Sequence, residues 1–156
     1  MTGFDRPSVE LTPVRMIGAL GLAAFSIAAL MSWRNGDDAV ACLFAAFAML
    51  ALYLLMSAGQ IAADSSVVTV SSVLGQYALA WQNVRRVETS AYGTLVLHAD
   101  DARLVLPPPL LWSGPHKPAL RALIAEQLRQ GSLIIERRWT ADYATHKNVR
   151  IRRRSR

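Results

Sequence analysis

His98-Ala99-Asp100-Asp101 places an imidazole and two carboxylates within four residues, a donor set that could serve a metal ion. The same four residues separate two apolar runs, and adjacent Asp residues between strands form a solvated turn, so a turn is the expectation. His116 lies in a Pro/Gly loop with no evident partner, His146 is the third imidazole, and Ser113 has no neighbouring base in sequence. Cys42 is the single cysteine, which excludes an internal disulfide and any CxxC pair. No GxxxxGK[ST], GxGxxG or GxSxG motif occurs. The expectation is a non-enzymatic protein with no catalytic residue, no metal and no cofactor.

The elements around these residues define an architecture more firmly than an activity. Of 156 residues, 53% are hydrophobic and 18% charged, with 17 Lys+Arg against 11 Asp+Glu. The apolar excess precedes residue 63 and the basic excess follows it. Met16 to Trp33 is an uncharged run of 18 residues, about 27 Å long as a helix, which matches a hydrocarbon core. Ala39 to Ala63 is a second uncharged run, dense to Met56, with Gln60 marking the exit toward headgroups. Arg34-Asn35-Gly36-Asp37-Asp38 between them is turn chemistry and allows only a tight antiparallel hairpin. The first run is too long for a cleaved signal peptide, and a second span follows almost at once. Two such runs also leave too little polar surface to bury them in a soluble protein of this size. Gly18, Gly21, Ala24 and Ala28 on the first span, and Ala41, Ala45 and Ala48 on the second, are spaced for close packing of one span on the other. Arg6, Arg15 and Arg34 are the only basic residues before residue 63; the other 14 follow it. The positive-inside rule then puts both termini on the cytoplasmic side of the membrane, as expected of an even number of spans.

After Asp64 the texture changes to short alternating runs. Residues 65–72 and 76–81 read as strands, with Tyr77, Leu79 and Trp81 on one face. Residues 83–90 form a polar strand, and 94–99 with 102–106 form a hairpin in which Leu95 and Leu97 share a face with Leu104 and Leu106. Pro107 to Pro109 stop that strand. Leu120, Leu123, Ile124 and Leu128 line one face of a helix over 117–130, opened by Lys117-Pro118 and closed by Gly131. Ser132 to Ile135 is a short strand or a helix extension.

The fold class is therefore α+β: a two-helix hairpin, about five short antiparallel strands and a C-terminal amphipathic helix. The segments are 1–15, an N-terminal cytoplasmic stretch; 16–63, the hairpin with spans 16–33 and 39–60; 64–135, the β domain; and 136–156, a basic tail. The stretch from Val67 to Gln130 resembles the bacterial pleckstrin-homology-like domain of small membrane proteins with two N-terminal spans. The resembling segments are Leu74-Gly75-Gln76-Tyr77, Trp81-Gln82-Asn83-Val84-Arg85-Arg86-Val87, the hairpin Gly93 to Leu106 and the terminal helix. The resemblance implies a bent antiparallel sheet capped by that helix. That family has seven strands, so either two more lie within 64–74 or 132–136, or the sheet is abbreviated.

The function expected is that of a membrane-anchored binding or scaffold module, with an accessory subunit of a larger respiratory or transport complex as the alternative. Arg85, Arg86 and Arg103 are the candidates for headgroup or partner contacts. Trp112 either dips into the headgroup layer or covers the open end of the sheet. The tail carries eight Lys+Arg and one acid, Asp142, from Arg137 to Arg156, and its Arg150, Arg152, Arg153 and Arg154 add attraction for an anionic leaflet. An acidic protein partner, a nucleic acid and no role at all are the competing readings of the tail, and the tether favours the leaflet. Trp139 and Tyr143 are tail aromatics able to dock on a partner or stack on bases. Membrane lipids and an integral membrane partner or a second copy are the partners expected.

Overall fold

A computed structural model describes residues 6–131, 133, 135–137 and 146–151. Helix α1 (Thr12–Arg34) and helix α2 (Asp38–Ser57) form the hairpin. Pro13 in the first turn of α1 is tolerated there because its missing N–H would have had no partner within the helix. The chain reverses through Asn35–Asp37, with Gly36 at φ +82°. The two helices are held at close range by small residues. A Cβ on Gly18 would stand 2.7 Å from the Leu55 backbone nitrogen, and one on Gly21 would meet Ala51. Ala48 and Ala51 are buried opposite, and Phe25 packs its ring 5.3 Å from that of Phe47. Both helices are long and apolar enough to cross a bilayer, and 6% of each apolar window is buried within the protein.

The hairpin is spliced into the sheet, not appended to it. Strand β1 (Ser8–Glu10) runs into α1, and strand β2 (Gln60–Ala63) runs out of α2. The two strands pair antiparallel, Glu10 against Gln60 and Ser8 against Ala62. Leu11 N–H donates to the Gly59 carbonyl at 2.9 Å, so pairing continues to the foot of the helices. Strands β3 (Val67–Ser72) and β4 (Gly75–Ala80) complete a four-stranded sheet in the order β1-β2-β3-β4. Residues 8–10 and 60–63, read from sequence as terminal segment and span end, are thus strands. The run Gln-Ile-Ala-Ala is uncharged like most of the helix before it, which hides the boundary at Ser57.

The second sheet has the order β7-β6-β5-β8, from β5 (Arg86–Thr89), β6 (Leu95–His98), β7 (Arg103–Leu106) and β8 (Ile135–Arg137). Strand β8 is parallel to β5, so this sheet is mixed. Leu95 faces Leu106 and Leu97 faces Leu104, the pairing expected from alternation. Among the described residues eight strands stand where about five were expected; β1 and β2 were missed, and β8 overlaps the run 132–135 that was left open between a strand and a helix extension. Helix α3 (Lys117–Gln130) lays Leu120 and Ile124 against β1 and β2. Gly131 caps it in a right-handed conformation, φ −71°, instead of the left-handed one that glycine termination usually takes. Ile61, Val68, Val87, Leu97, Leu104, Leu106 and Leu120 form one fully buried core between the sheets and α3.

Gly59 is the tightest point of the splice. A Cβ there would overlap the Ser71 carbonyl oxygen and stand 2.9 Å from Ser72 Cα. Neither neighbour is a flexible side-chain end, so the backbone itself would have to shift. Gly59→Ala is expected to lower stability by about 2 kcal/mol. Thermal unfolding in mild detergent, followed by the β-sheet circular dichroism signal, checks this; an unchanged midpoint would refute the close approach.

Candidate binding surface

The registers give the head two ends. Gln60 pairs with Ser71 at the end from which the helices leave, and Ala63 pairs with Val68 at the other. In the second sheet Thr89 faces Leu95 and Leu95 faces Leu106 at one end, and the chain then runs from Pro107 to Ser113, which bridges Glu10 beside α1. The Ser113 hydroxyl lies 2.8 Å from the Glu10 carbonyl and 2.7 Å from the Thr12 hydroxyl, clamping the start of α1. Arg86, His98 and Arg103 align at the opposite end, next to the Asp100-Asp101 turn.

The arginines singled out from sequence therefore occupy different places. Arg85 is exposed at the end away from the helices and pairs with Asp100 at 3.4 Å. Strand alternation puts Arg86, Glu88, His98 and Arg103 on one face of the second sheet. Glu88 is 2% exposed there. Arg86 Nη2 lies 3.0 Å from its Oε1 and His98 Nε2 lies 3.3 Å from its Oε2, while Arg86 Nη1 reaches Glu136 on β8 at 3.5 Å. Arg86 thus neutralises a buried carboxylate and ties β5 to β8. His98 turns to Glu88, and Asp100 and Asp101 lie in the connection between β6 and β7 where a turn was expected. Among the described residues, no three His, Cys, Asp or Glu side chains gather as a metal site. Trp112 is 3% exposed and its indole N–H donates to the Pro107 carbonyl at 2.9 Å. Its ring lies in the core, which is the covering position and not the headgroup one.

Part of the basic tail is also structural. Residues 146–151 run between the free edges of β4 and β7, which belong to different sheets. Arg103 and Lys147 exchange backbone hydrogen bonds at 2.9 and 2.8 Å, Ala78 N–H donates to the Val149 carbonyl, and Ile151 N–H donates to Gln76. Arg150 Nη2 donates to the Leu74 carbonyl at 3.1 Å, and Asn148 donates to Asp101. His146 Nδ1 accepts from Val105 N–H at 3.1 Å, and its ring packs against that of Tyr77 at 4.2 Å, tilted by 33°. Arg152, Arg153, Arg154, Trp139 and Tyr143 lie outside the described residues.

At the end away from the helices, Asp64 closes the β2–β3 turn. Its carboxylate accepts from the Ser66 hydroxyl and from Ser66 and Val67 N–H, and pairs with Arg6 at 3.0 Å. The Ser66 hydroxyl bond is the largest cause holding the Asp64 pKa below its usual value, assisted by those backbone donors and by Arg6 against the opposing cost of burial.

The fold defines an α+β chain with two long apolar helices and a small sheet region, antiparallel except for β8. Compared with known proteins, the chain matches no family model, no curated protein and no solved structure. Two features escaped the sequence reading. The Arg86–Glu88 pair was signalled by its spacing of two, which puts both side chains on one strand face. The edge-closing role of 146–151 had no signal, because His146-Lys147-Asn148-Val149-Arg150-Ile151 is mostly polar and reads as solvated.

Two outcomes follow from these contacts. Arg86→Met should leave the Glu88 carboxylate short of its cation and lower stability by about 2 kcal/mol, the half-exposed guanidinium being partly screened. Arg85→Met should change nothing measurable, and equal effects in urea unfolding would contradict the assignment. The second concerns His146, whose pKa is pushed below its ordinary 6.5 by burial and then by the Arg103 charge. The folded chain then binds fewer protons than the unfolded one between that lowered value and 6.5. This contribution is full above 6.5 and is lost as pH falls through the folded pKa. The wild-type melting midpoint should fall over that acid range, and His146→Gln should remove that component of the pH dependence.

Proposed function

We propose that this chain is a non-enzymatic, membrane-anchored binding or scaffold protein. In this reading α1 and α2 cross the bacterial inner membrane with both termini in the cytoplasm, and a pleckstrin-homology-like head is presented at the inner face. The observation that carries it is the state of the helix surfaces. The helices meet along Gly18, Gly21, Ala48 and Ala51, and this leaves Ile17, Leu20, Ile27, Leu30, Leu43, Met49 and Leu50 more than half exposed. Water would penalise such a surface, whereas acyl chains match it. Support for the pleckstrin-homology-like reading is the run of short antiparallel strands β3 to β7 followed by α3. The excess of basic residues after the second helix supports the orientation.

The partner surface in this reading is the end away from the helices, where Arg85, Arg103 and Lys147 gather with Asp100 and Asp101. An integral membrane protein with a mixed-charge cytoplasmic loop, or a second copy, fits there better than an RNA, since the acids would repel phosphates. Full-length protein should stay with membranes through a carbonate wash, and partners recovered in mild detergent should be lost from an Arg85→Glu/Lys147→Glu variant that still inserts. Release of the wild type into the wash would overturn the anchor, and unchanged partner recovery would overturn the surface.

A further inference from the structure

Among the described residues of the head, three side chains are far more exposed than the other large apolar ones: Tyr92 at 85%, Leu110 at 84% and Val73 at 73%. Each sits on a turn, and all three turns lie at the end from which the helices leave. Because Ser71 pairs with Gln60, the turn after Ser72 extends past the first residue of β2 and stands beside Ala58 and Gly59. Val73 and Arg15 line the same cleft there, about 350 Å³ in volume. Leu110 belongs to the 3-10 turn Pro109–Leu111, which packs on α1. Tyr92 precedes Gly93, whose Cβ position is 3.6 Å from Pro109 Cδ, so its turn adjoins that of Leu110.

Two guanidinium groups stand at the same level. Arg15 is exposed one turn into α1, and Arg150 is held beside Val73 by its bond to the Leu74 carbonyl. Exposed aliphatic and tyrosine side chains interspersed with arginine are the composition of a membrane–water boundary, where an apolar body enters the acyl margin and a cation meets phosphate. This belt is continuous with the apolar surface of α1 and α2, which fixes its occupant as the bilayer that holds those helices.

We propose that Val73, Tyr92 and Leu110, flanked by Arg15 and Arg150, seat the head in the anionic headgroup layer of its own membrane. The inference rests on the membrane reading above and deepens it, by assigning the lipid contacts to these turns instead of to Arg85, Arg86 and Arg103. The seat fixes the head's orientation and directs the Asp100-Asp101 end into the cytoplasm.

The test uses the full chain with Cys42→Ala, spin-labelled singly at Val73→Cys, Leu110→Cys, Asp101→Cys or Leu50→Cys. Each is reconstituted in vesicles of phosphatidylcholine with phosphatidylglycerol. Labels at 73 and 110 should be shielded from an aqueous nickel chelate and open to oxygen, the label at 101 should be open to the chelate, and the label at 50 should be reached by oxygen alone. Adding Arg15→Gln should raise chelate access at 73 and 110 in these vesicles but not in phosphatidylcholine alone; the same change in both would overturn the contact with anionic headgroups. Full chelate access at 73 and 110, with position 50 still in lipid, would overturn the seat while leaving the anchor standing. Chelate access at 50 would overturn the anchor and the seat together. Spin–spin broadening at 73 and 110 would make the turns an interface between copies and would also overturn the proposal.

Discussion

The antiparallel pairing of β1 with β2 is the constraint on which the rest depends. It makes the two apolar helices an insertion between neighbouring strands of one sheet, so the helix feet stay within one strand spacing of each other, about 5 Å. Gly18 and Gly59 serve this constraint in different ways. Gly18 lets α1 lie on the backbone of α2, and Gly59 lets the chain leave α2 underneath the carbonyl of Ser71. The head cannot swing on a flexible linker, because the linker is the sheet.

Charge in the head is organised on the same plan. Glu88 is withdrawn from water and matched by Arg86 and His98, which fastens β5 to β6 and β8. A buried pair of this kind contributes little net stability compared with an apolar pair, but losing one member is costly, so it fixes register more than it strengthens the sheet. Asp64 and Arg6 do the equivalent at the far turn of the first sheet, where the Asp64 backbone carbonyl also accepts the Trp81 indole N–H at 2.8 Å. Both sheets thus carry an acid whose position, not its reactivity, is what the fold uses.

The hairpin, β3 to β7 and α3 were legible from sequence because each is long or regular enough to impose a period. Leu95, Leu97, Leu104 and Leu106 announce their cross-strand register by alternation alone. Strands β1 and β2 were not legible, since β1 holds three residues and β2 continues the uncharged run of the helix before it, while β8 overlaps the run 132–135 that the sequence left open between a strand and a helix extension. For the surface, the sequence revealed which residues carry charge but not which end of the head they occupy. Arg85 and Arg150 look equivalent in composition. One lies by the Asp100 turn and the other by Leu74, and only the closure of 146–151 across two sheet edges separates them. Trp112 illustrates the converse, a residue framed by prolines and glycine that looks like a loop aromatic until its indole is satisfied by Pro107.

The splice has a consequence for assembly. The first sheet requires Glu10 to meet Gln60, and these residues flank the two helices. If the helices enter a bilayer as a closed pair, both strands emerge on the same side and can zip. If only one helix crosses, β1 and β2 are stranded on opposite sides, and Ile61 and Val9 lose their shared core. In the proposed membrane arrangement, folding of the head would therefore require that both helices cross.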